Sequence, residues 1–361
     1  MCQPVCFPFR SQEGGLETQW RKTRDSRLRE HFLSFTSSLK ASALEHQNHA
    51  DLLFFNQLLL KSPYGVRYQG KHLHHKNLMR IPSHIEKLLA CPNAHLPIRV
   101  FEERIVCDQC GFEGQMKDGV AIMMESSATS YFDDKYEVMQ AGHEGGSPAW
   151  NFGYKQQVRL FESYLKPGMT VLDVGCGPTL LYQPPKNCSV IGLEPSFNSI
   201  RANKNVQVRL QASAAGIPLA SHSVDCVVCF YSIHHMVGTS ISDTRTNVHC
   251  ALKEFGRVLR NGGELFIFEM TPMYFFAMFQ NLLWNQARSR IPNLLDMYFW
   301  QGNDLRNAAA KFLPTGSLLK ITVFRDSVFT VFPPVFSLPW LKIPRFLYPL
   351  TPKLYQWKMP N

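Results

Sequence analysis

The sequence has too few cysteines for a disulfide-rich scaffold, and it has no long uncharged apolar run. Ten cysteines are scattered over 361 residues, which indicates reduced thiols and a cytoplasmic compartment. The longest apolar stretches, such as 273–284, are too short to span a bilayer or contain polar residues. The first residues also lack the apolar segment of a secretory signal. We therefore expect a cytoplasmic protein without a transmembrane segment.

Acidic residues are in the minority, with 28 Asp and Glu against 38 Lys and Arg, so the formal net charge is +10. Such a balance suits an anionic partner, either RNA or an acidic membrane surface, but a merely basic soluble enzyme also has it. Hydrophobic residues make up 45% of the chain, which is enough to bury a sizeable core.

Composition divides the chain into four segments. The predicted segments are a polar, basic extension at 1–82 that is partly disordered or helical, a small module at 83–126, a main domain at 127–336 and a tail at 337–361. The main domain carries an aromatic-rich insertion at 271–312, and the tail is rich in proline, aromatic residues and cations.

Strand and helix patterns alternate through the main domain. Strands are predicted at 170–174, 189–193, 208–211, 223–230 and 264–270, and a helix at 248–259 precedes the last of them. Such alternation predicts parallel strands joined by crossover helices, which is a doubly wound, Rossmann-like α/β fold.

The segment VLDVGCGP begins as a buried strand and ends in a glycine-rich turn. Asp173 ends the strand, and Gly175 and Gly177 allow a ligand to approach the backbone closely. The third glycine of a dinucleotide-binding turn is absent, because Pro178 and Thr179 occupy that stretch. In the next strand, VIGLEPS, Glu194 stands where a carboxylate can accept hydrogen bonds from both hydroxyls of a ribose.

Four blocks in order resemble the class I S-adenosylmethionine methyltransferases. They are VLDVGCGP, VIGLEPS, ASAAGIPLASHSVDCVVCFYSIHH and ALKEFGRVLRNGGELFIFE, and they are most similar to the ubiquinone and menaquinone C-methyltransferases. The resemblance implies that Asp173, Gly175 and Gly177 line the methionine part of the cofactor and that Glu194 holds the ribose. It further implies that Ser213, where the family usually has an acid, and Ala214 lie beside the adenine, and that Tyr231 flanks the sulfonium.

Two histidines and two cysteines near the fourth strand permit a chemical or a structural interpretation. His234 and His235 follow the strand at the edge where α/β proteins bind ligands, so either is a candidate general base, although paired histidines here also have structural roles. Cys226 and Cys229 should point to opposite faces of a buried strand, which favours core packing over metal binding.

The module at 83–126 resembles the short zinc ribbons that precede some bacterial methyltransferase domains. Cys107 and Cys110 with the following Gly111 form a good zinc-binding turn. The upstream pair of the pattern is broken, because Cys91 is present but Ala94 replaces its partner, and His95 is the nearby substitute. The site is therefore either a zinc site of Cys91, His95, Cys107 and Cys110 or a degenerate ribbon without metal.

The methyl acceptor follows less directly from the residues. The insertion should supply an apolar pocket wall through Tyr274, Phe275, Phe276, Met278, Phe279 and Trp284, which favours a small apolar acceptor such as a quinone, lipid-like or secondary-metabolite precursor. RNA base methylation with the ribbon as an RNA contact is the alternative, and a binding role without turnover is a third. The tail should pack on the domain or contact a membrane surface.

Overall fold

The computed structural model describes residues 86–101, 103–124, 148–290, 297–324, 329–331, 342–344 and 349–361. The predicted extension at 1–82 lies outside these residues.

Eleven strands of the described chain form one mixed sheet. Their bounds are β1 Arg99–Phe101, β2 Arg104–Val106, β3 Glu113–Lys117, β4 Val120–Ile122, β5 Thr170–Val174, β6 Ser189–Leu193, β7 Val208–Gln211, β8 Val224–Phe230, β9 Leu259–Pro272, β10 Leu318–Val323 and β13 Leu350–Lys358. Their spatial order is β1-β2-β3-β4-β7-β6-β5-β8-β9-β13-β10. A separate antiparallel pair consists of β11 Phe329–Val331 and β12 Lys342–Pro344.

Helices connect these strands. They are α1 Pro148–Tyr164, α2 Phe197–Ala202, α3 Ile241–Val258, α4 Tyr274–Arg290 and α5 Gly302–Phe312, with one 3₁₀ turn at Ile233–His235. Helix α3 begins with a capping box, in which the side chains of Ser240 and Asp243 each accept a hydrogen bond from the other residue's backbone N–H.

The centre of the sheet, β4-β7-β6-β5-β8-β9, is parallel and is covered on both faces. Its side chains alternate between two core clusters, so that Cys229 packs with α3 and Cys226 packs with Phe161 of α1. The doubly wound fold predicted from the sequence is confirmed, and the two cysteines lie on opposite faces of β8 as expected.

Part of the predicted C-terminal tail is a strand of the sheet. Strand β13 pairs antiparallel with β9 on one side and with β10 on the other. Tyr355 and Trp357 are buried in the core and their rings stack 6.0 Å apart. The structure therefore differs from the expected division between main domain and tail at residue 337, because β13 lies between β9 and β10 in the sheet of the main domain.

The module at 83–126 continues the same sheet. Strands β1 to β4 form an antiparallel meander, and β4 pairs in parallel with β7, where Ala121 lies opposite Leu210. The module is consequently joined to the main domain by backbone hydrogen bonds as well as by side-chain packing.

Candidate active site

The glycine-rich turn after β5 is shaped by a close approach to the turn after β8. Gly175 has a φ of +71°, and a Cβ at this position would lie 2.5 Å from Cβ of Ser232. Gly177 has a φ of +58°, and a Cβ there would meet nothing within 4 Å. The turn thus needs glycine for its conformation, and the open space at Gly177 is where a ligand can approach the backbone.

Glu194 is held at the end of β6 by two backbone groups. Its Oε2 accepts a hydrogen bond from the Gly177 N–H at 3.1 Å, and its Oε1 accepts one from the Ser196 N–H at 3.1 Å. These bonds fix the carboxylate against the glycine-rich turn, beside the open space at Gly177.

Asp173 is a buried carboxyl at the end of β5, with 3% of its surface exposed. Burial raises its pKa to about 7; the neighbouring Tyr182 hydroxyl opposes this rise and the Glu194 carboxylate adds to it. A cationic ligand group beside Asp173 would favour the ionised form, so the site is suited to the ammonium of an amino acid.

The residues predicted beside the adenine follow β7. Ser213 is exposed, and its Oγ accepts a hydrogen bond from the Ala215 N–H at 3.2 Å. Ala214 is half-buried. Both residues lie at the carboxyl end of the parallel strands, on the same edge as Asp173 and Glu194.

Tyr231 adopts a left-handed conformation with a φ of +53°, which is rare for a bulky residue. Its hydroxyl donates a hydrogen bond to Oε1 of the buried Gln157 on α1 at 2.7 Å. Tyr231 therefore ties the turn after β8 to the helix that covers this end of the sheet. Strain of this kind clusters at active sites.

His234 is buried and paired with Glu269 at the end of β9. Glu269 Oε1 lies 2.7 Å from Nδ1 of His234, and Oε2 accepts the His234 backbone N–H at 3.1 Å. The ring of His234 packs against His235 at 4.1 Å and Phe299 at 5.3 Å between centroids. In the tautomer in which Nδ1–H donates to the Glu269 carboxylate, Nε2 is the ring nitrogen that can accept a hydrogen bond.

The predicted apolar wall of the insertion only partly faces the protein. On α4, Trp284 is buried against Tyr298 and the Phe276 ring lies 6.2 Å from that of Phe299. The other four predicted wall residues are exposed, namely Tyr274, Phe275, Met278 and Phe279. They differ from the expectation because α4 is apolar around most of its circumference and only one side packs on the domain.

Three of the four predicted metal ligands come together. The Sγ atoms of Cys91, Cys107 and Cys110 lie within 4.8 Å of one another. The prediction for His95 is corrected, because this residue is not part of that cluster and its Nε2 lies 3.6 Å from Oε1 of Glu254 on α3. Burial lowers the pKa of His95, although the Glu254 carboxylate opposes this effect.

Two further residues support the site, and the sequence analysis did not identify them. Glu269 is a single acidic residue near the end of the apolar run LFIFEM, and this isolated position could have marked it as a functional residue. Asn203 donates from Nδ2 to the Gly177 carbonyl at 3.0 Å and so braces the glycine-rich turn, but nothing in its local sequence marks it.

Comparison with known proteins gives a methyltransferase family for the central part of the chain. Residues 172–267 match the family model described as a methyltransferase domain. The ubiquinone/menaquinone biosynthesis C-methyltransferase UbiE of Campylobacter jejuni subsp. jejuni serotype O:6 is 29% identical over 126 residues, which are 31% of this chain and 49% of the relative. The corresponding protein of serotype O:23/36 is 28% identical over 140 residues, 35% of this chain and 54% of the relative. This chain spans about half the length of the relatives it matches.

Among solved structures, a chain of the complex between the Trm112 methyltransferase activator of Haloferax volcanii and a methyltransferase covers 64% of this chain and 98% of its own length, with 15% identity and a TM-score of 0.44. A methyltransferase from Thermotoga maritima covers 64% of this chain and 99% of its own length, with 15% identity and a TM-score of 0.40.

The family match spans β5 to β9, which carry the glycine-rich turn, Asp173, Glu194 and the turn after β8. The parallel sheet places all of these at one edge, where open space at Gly177 adjoins two buried carboxyl groups. The central part of the chain is therefore a class I S-adenosylmethionine-dependent methyltransferase domain.

Proposed function

We propose that the protein transfers a methyl group from S-adenosylmethionine to a small, largely apolar acceptor of the quinone, lipid-like or secondary-metabolite class. The observation that carries this proposal is the aromatic and buried setting of the His234–Glu269 pair, at the sheet edge that also holds the cofactor residues. The similarity to ubiquinone and menaquinone C-methyltransferases supports the acceptor class.

In this proposal Asp173 and Glu194 orient the cofactor. The Asp173 carboxylate pairs with the ammonium of its methionine part, and Glu194 accepts the ribose hydroxyls. Ser213 and Ala214 border the adenine. When bound, the cofactor supplies an electrophilic methyl group on a sulfonium, and the chain's residues fix the acceptor in line with it.

His234 is proposed as the general base. Glu269 holds the imidazole by Nδ1, so Nε2 can take the proton that the acceptor loses as its nucleophilic atom bonds to the methyl carbon. The electron pair of the broken carbon–sulfur bond stays on sulfur. Tyr231 and His235 flank the reacting atoms, and the Tyr231 bond to Gln157 keeps α1 over the site.

Helix α4 supports delivery of the acceptor from a membrane surface. Its outer side exposes Tyr274 to 70%, Phe275 to 68% and Leu282 to 69%, at helical spacings that fall on one half of its circumference. The helix contains no acidic residue and ends with Arg288 and Arg290. An apolar face with cations at its end suits insertion into an anionic lipid interface.

The α4 face is proposed as a membrane contact in addition to the one predicted for the tail, which stays a prediction. Tyr355 and Trp357 of the tail are buried, while Trp340, Phe346 and Tyr348 lie outside the described residues. No described helix is both long and apolar enough to cross a bilayer.

Vesicle sedimentation tests the α4 face. Wild-type protein should sediment with vesicles that contain phosphatidylserine, and the double variant Phe275→Ser, Leu282→Ser should not. Leu318→Ser is the control, because Leu318 is 71% exposed and lies opposite Lys358 at one end of β13, whereas α4 begins just after Pro272, which pairs with Leu350 at the other end. Equal sedimentation of all three proteins would exclude α4 as the membrane contact.

A partition assay tests the acceptor class. Protein, methyl-labelled cofactor, a lipid extract and total RNA are mixed, and label is counted in the organic phase and in the RNA. The proposal predicts label in the organic phase, and label in RNA alone would favour the RNA alternative.

Two cations of the ribbon module already pair with acids, Arg99 with Asp108 and Arg104 with Glu113, which weakens the case for an RNA contact there.

A further inference from the structure

The Cys91 turn has the backbone conformation of a metal-binding knuckle. The N–H groups of Asn93 and Ala94 both point at Cys91 Sγ, each at 3.4 Å. The N–H of His95 donates to the Cys91 carbonyl at 2.8 Å, and His95 has a φ of +55°. The turn therefore aims two backbone N–H donors at the sulfur that would bind the metal.

The Cys107 turn repeats this conformation residue by residue. The backbone N–H groups of Gln109 and Cys110 donate to the Cys107 sulfur. The N–H of Gly111 donates to the Cys107 carbonyl at 3.0 Å, and Gly111 has a φ of +70°. By this correspondence Ala94 occupies the position of Cys110, and His95 occupies the position of Gly111.

The correspondence explains why His95 does not complete the metal site. In a knuckle the ligands are the first and fourth residues, whereas the fifth residue only turns the chain. His95 is the fifth residue, and its ring reaches Glu254 on α3 instead. The fourth position holds Ala94, whose methyl group cannot coordinate metal.

The three sulfurs are close enough to share one ion. Cys91 Sγ and Cys110 Sγ lie 3.3 Å apart, and Cys107 Sγ is within 4.8 Å of both. Thiolates bound to one tetrahedral Zn²⁺ at about 2.3 Å lie about 3.8 Å apart, so small movements of these side chains suffice.

We propose that Cys91, Cys107 and Cys110 bind one Zn²⁺ whose fourth coordination position, vacated at Ala94, is open to a small exogenous ligand such as water, imidazole or a thiol. Zinc sites that keep an open position have three protein ligands, and structural ribbons have four. The sulfurs of the proposed site come from the turn before β1 and from the turn between β2 and β3, so that β4, β7 and β6 lie between this module and the glycine-rich turn after β5 in the strand order.

The test uses the full chain, with zinc analysis and Co²⁺ substitution. Wild type should bind one zinc per chain, Cys107→Ser should lose it, and Cys250→Ala on α3 should keep it as the matched control. The Co²⁺ form should show thiolate charge-transfer absorption. In Ala94→Cys this absorption should rise by about one third, in proportion to four thiolates instead of three.

Added imidazole should shift the visible Co²⁺ bands of the wild type and leave those of Ala94→Cys unchanged. Absence of zinc from wild type prepared with added Zn²⁺ would overturn the proposal. Equal charge-transfer intensity in the two proteins, with no response to imidazole, would also overturn it, because the site would then already have a fourth protein ligand.

Discussion

The raised pKa of Asp173 predicts that cofactor binding depends on pH and releases a proton. Burial raises this pKa to about 7, far above the usual value for an aspartate of about 3.9. The free protein therefore holds a proton on Asp173 at mildly acidic pH. A cofactor ammonium beside the carboxyl favours the ionised form, so binding must expel that proton below pH 7.

The size of the effect follows from the ionised fraction. With a pKa of about 7, about 3% of Asp173 is ionised at pH 5.5 and about three quarters at pH 7.5, so cofactor affinity should rise about 25-fold across this window and level off above it. Isothermal titration calorimetry in two buffers of different ionisation enthalpy measures both the affinity and the protons released.

Asp173→Asn is the matched control, because the amide keeps the size of the side chain and cannot ionise. It should bind the cofactor weakly, release no proton and show no such pH dependence. The free wild-type fold should also lose stability as pH rises from about 4 to 7, since the folded state holds a proton that the unfolded state has lost. A flat affinity profile in the wild type, or an unchanged slope in Asp173→Asn, would refute the reasoning.

Three further substitutions test the site and the fold. Glu194→Ala should weaken cofactor binding by about 1.5–3 kcal/mol in calorimetry, the range for hydrogen bonds to a charged group, and unchanged affinity would remove Glu194 from the site. Gly175→Ala should abolish cofactor binding or lower the melting temperature, because its Cβ would lie 2.5 Å from Ser232 Cβ, whereas wild-type behaviour would contradict the described turn. Trp357→Ala should lower the free energy of unfolding in urea by about 3–5 kcal/mol, because Trp357 is a buried aromatic residue of β13. A decrease below about 1 kcal/mol would contradict the burial of this strand.

The parallel strands were predicted from the sequence with the bounds that the structure has for β5, β6 and β7. Strands covered on both faces are continuous apolar runs, and the glycine-rich turn shows where the first one ends. Helix α3 begins earlier than expected, at Ile241 instead of Val248, because its first turns are polar and depend on the Ser240 cap.

Strand β13 was not predicted because its burial depends on partners distant in the chain. Pro352 and the charged Lys353 weaken its local strand pattern, yet the strand fits antiparallel between β9 and β10. The His234–Glu269 pair could not be predicted for the same reason, since His234 lies on the 3₁₀ turn after β8 and Glu269 lies on β9, and only the parallel pairing of β8 with β9 brings them together.

His95 shows the limit of predicting metal ligands from their spacing in the sequence. The residue is near enough in sequence to replace a missing cysteine, but the knuckle conformation turns the fifth position away from the metal. Sequence spacing alone does not show where the His95 side chain points, because that direction is set by the positive φ of His95.

The most direct test of methyl transfer to an apolar acceptor uses a cofactor with a trideuterated methyl group. The full chain is incubated with this cofactor and a lipid extract, and the organic phase is analysed by mass spectrometry. We predict a lipid-soluble product that carries the labelled methyl, is reduced with Glu194→Ala when the cofactor is limiting, and is strongly reduced with His234→Ala although that variant still binds the cofactor. A wild-type protein that binds the cofactor but labels no lipid-soluble molecule, and instead labels RNA or nothing, would contradict the account.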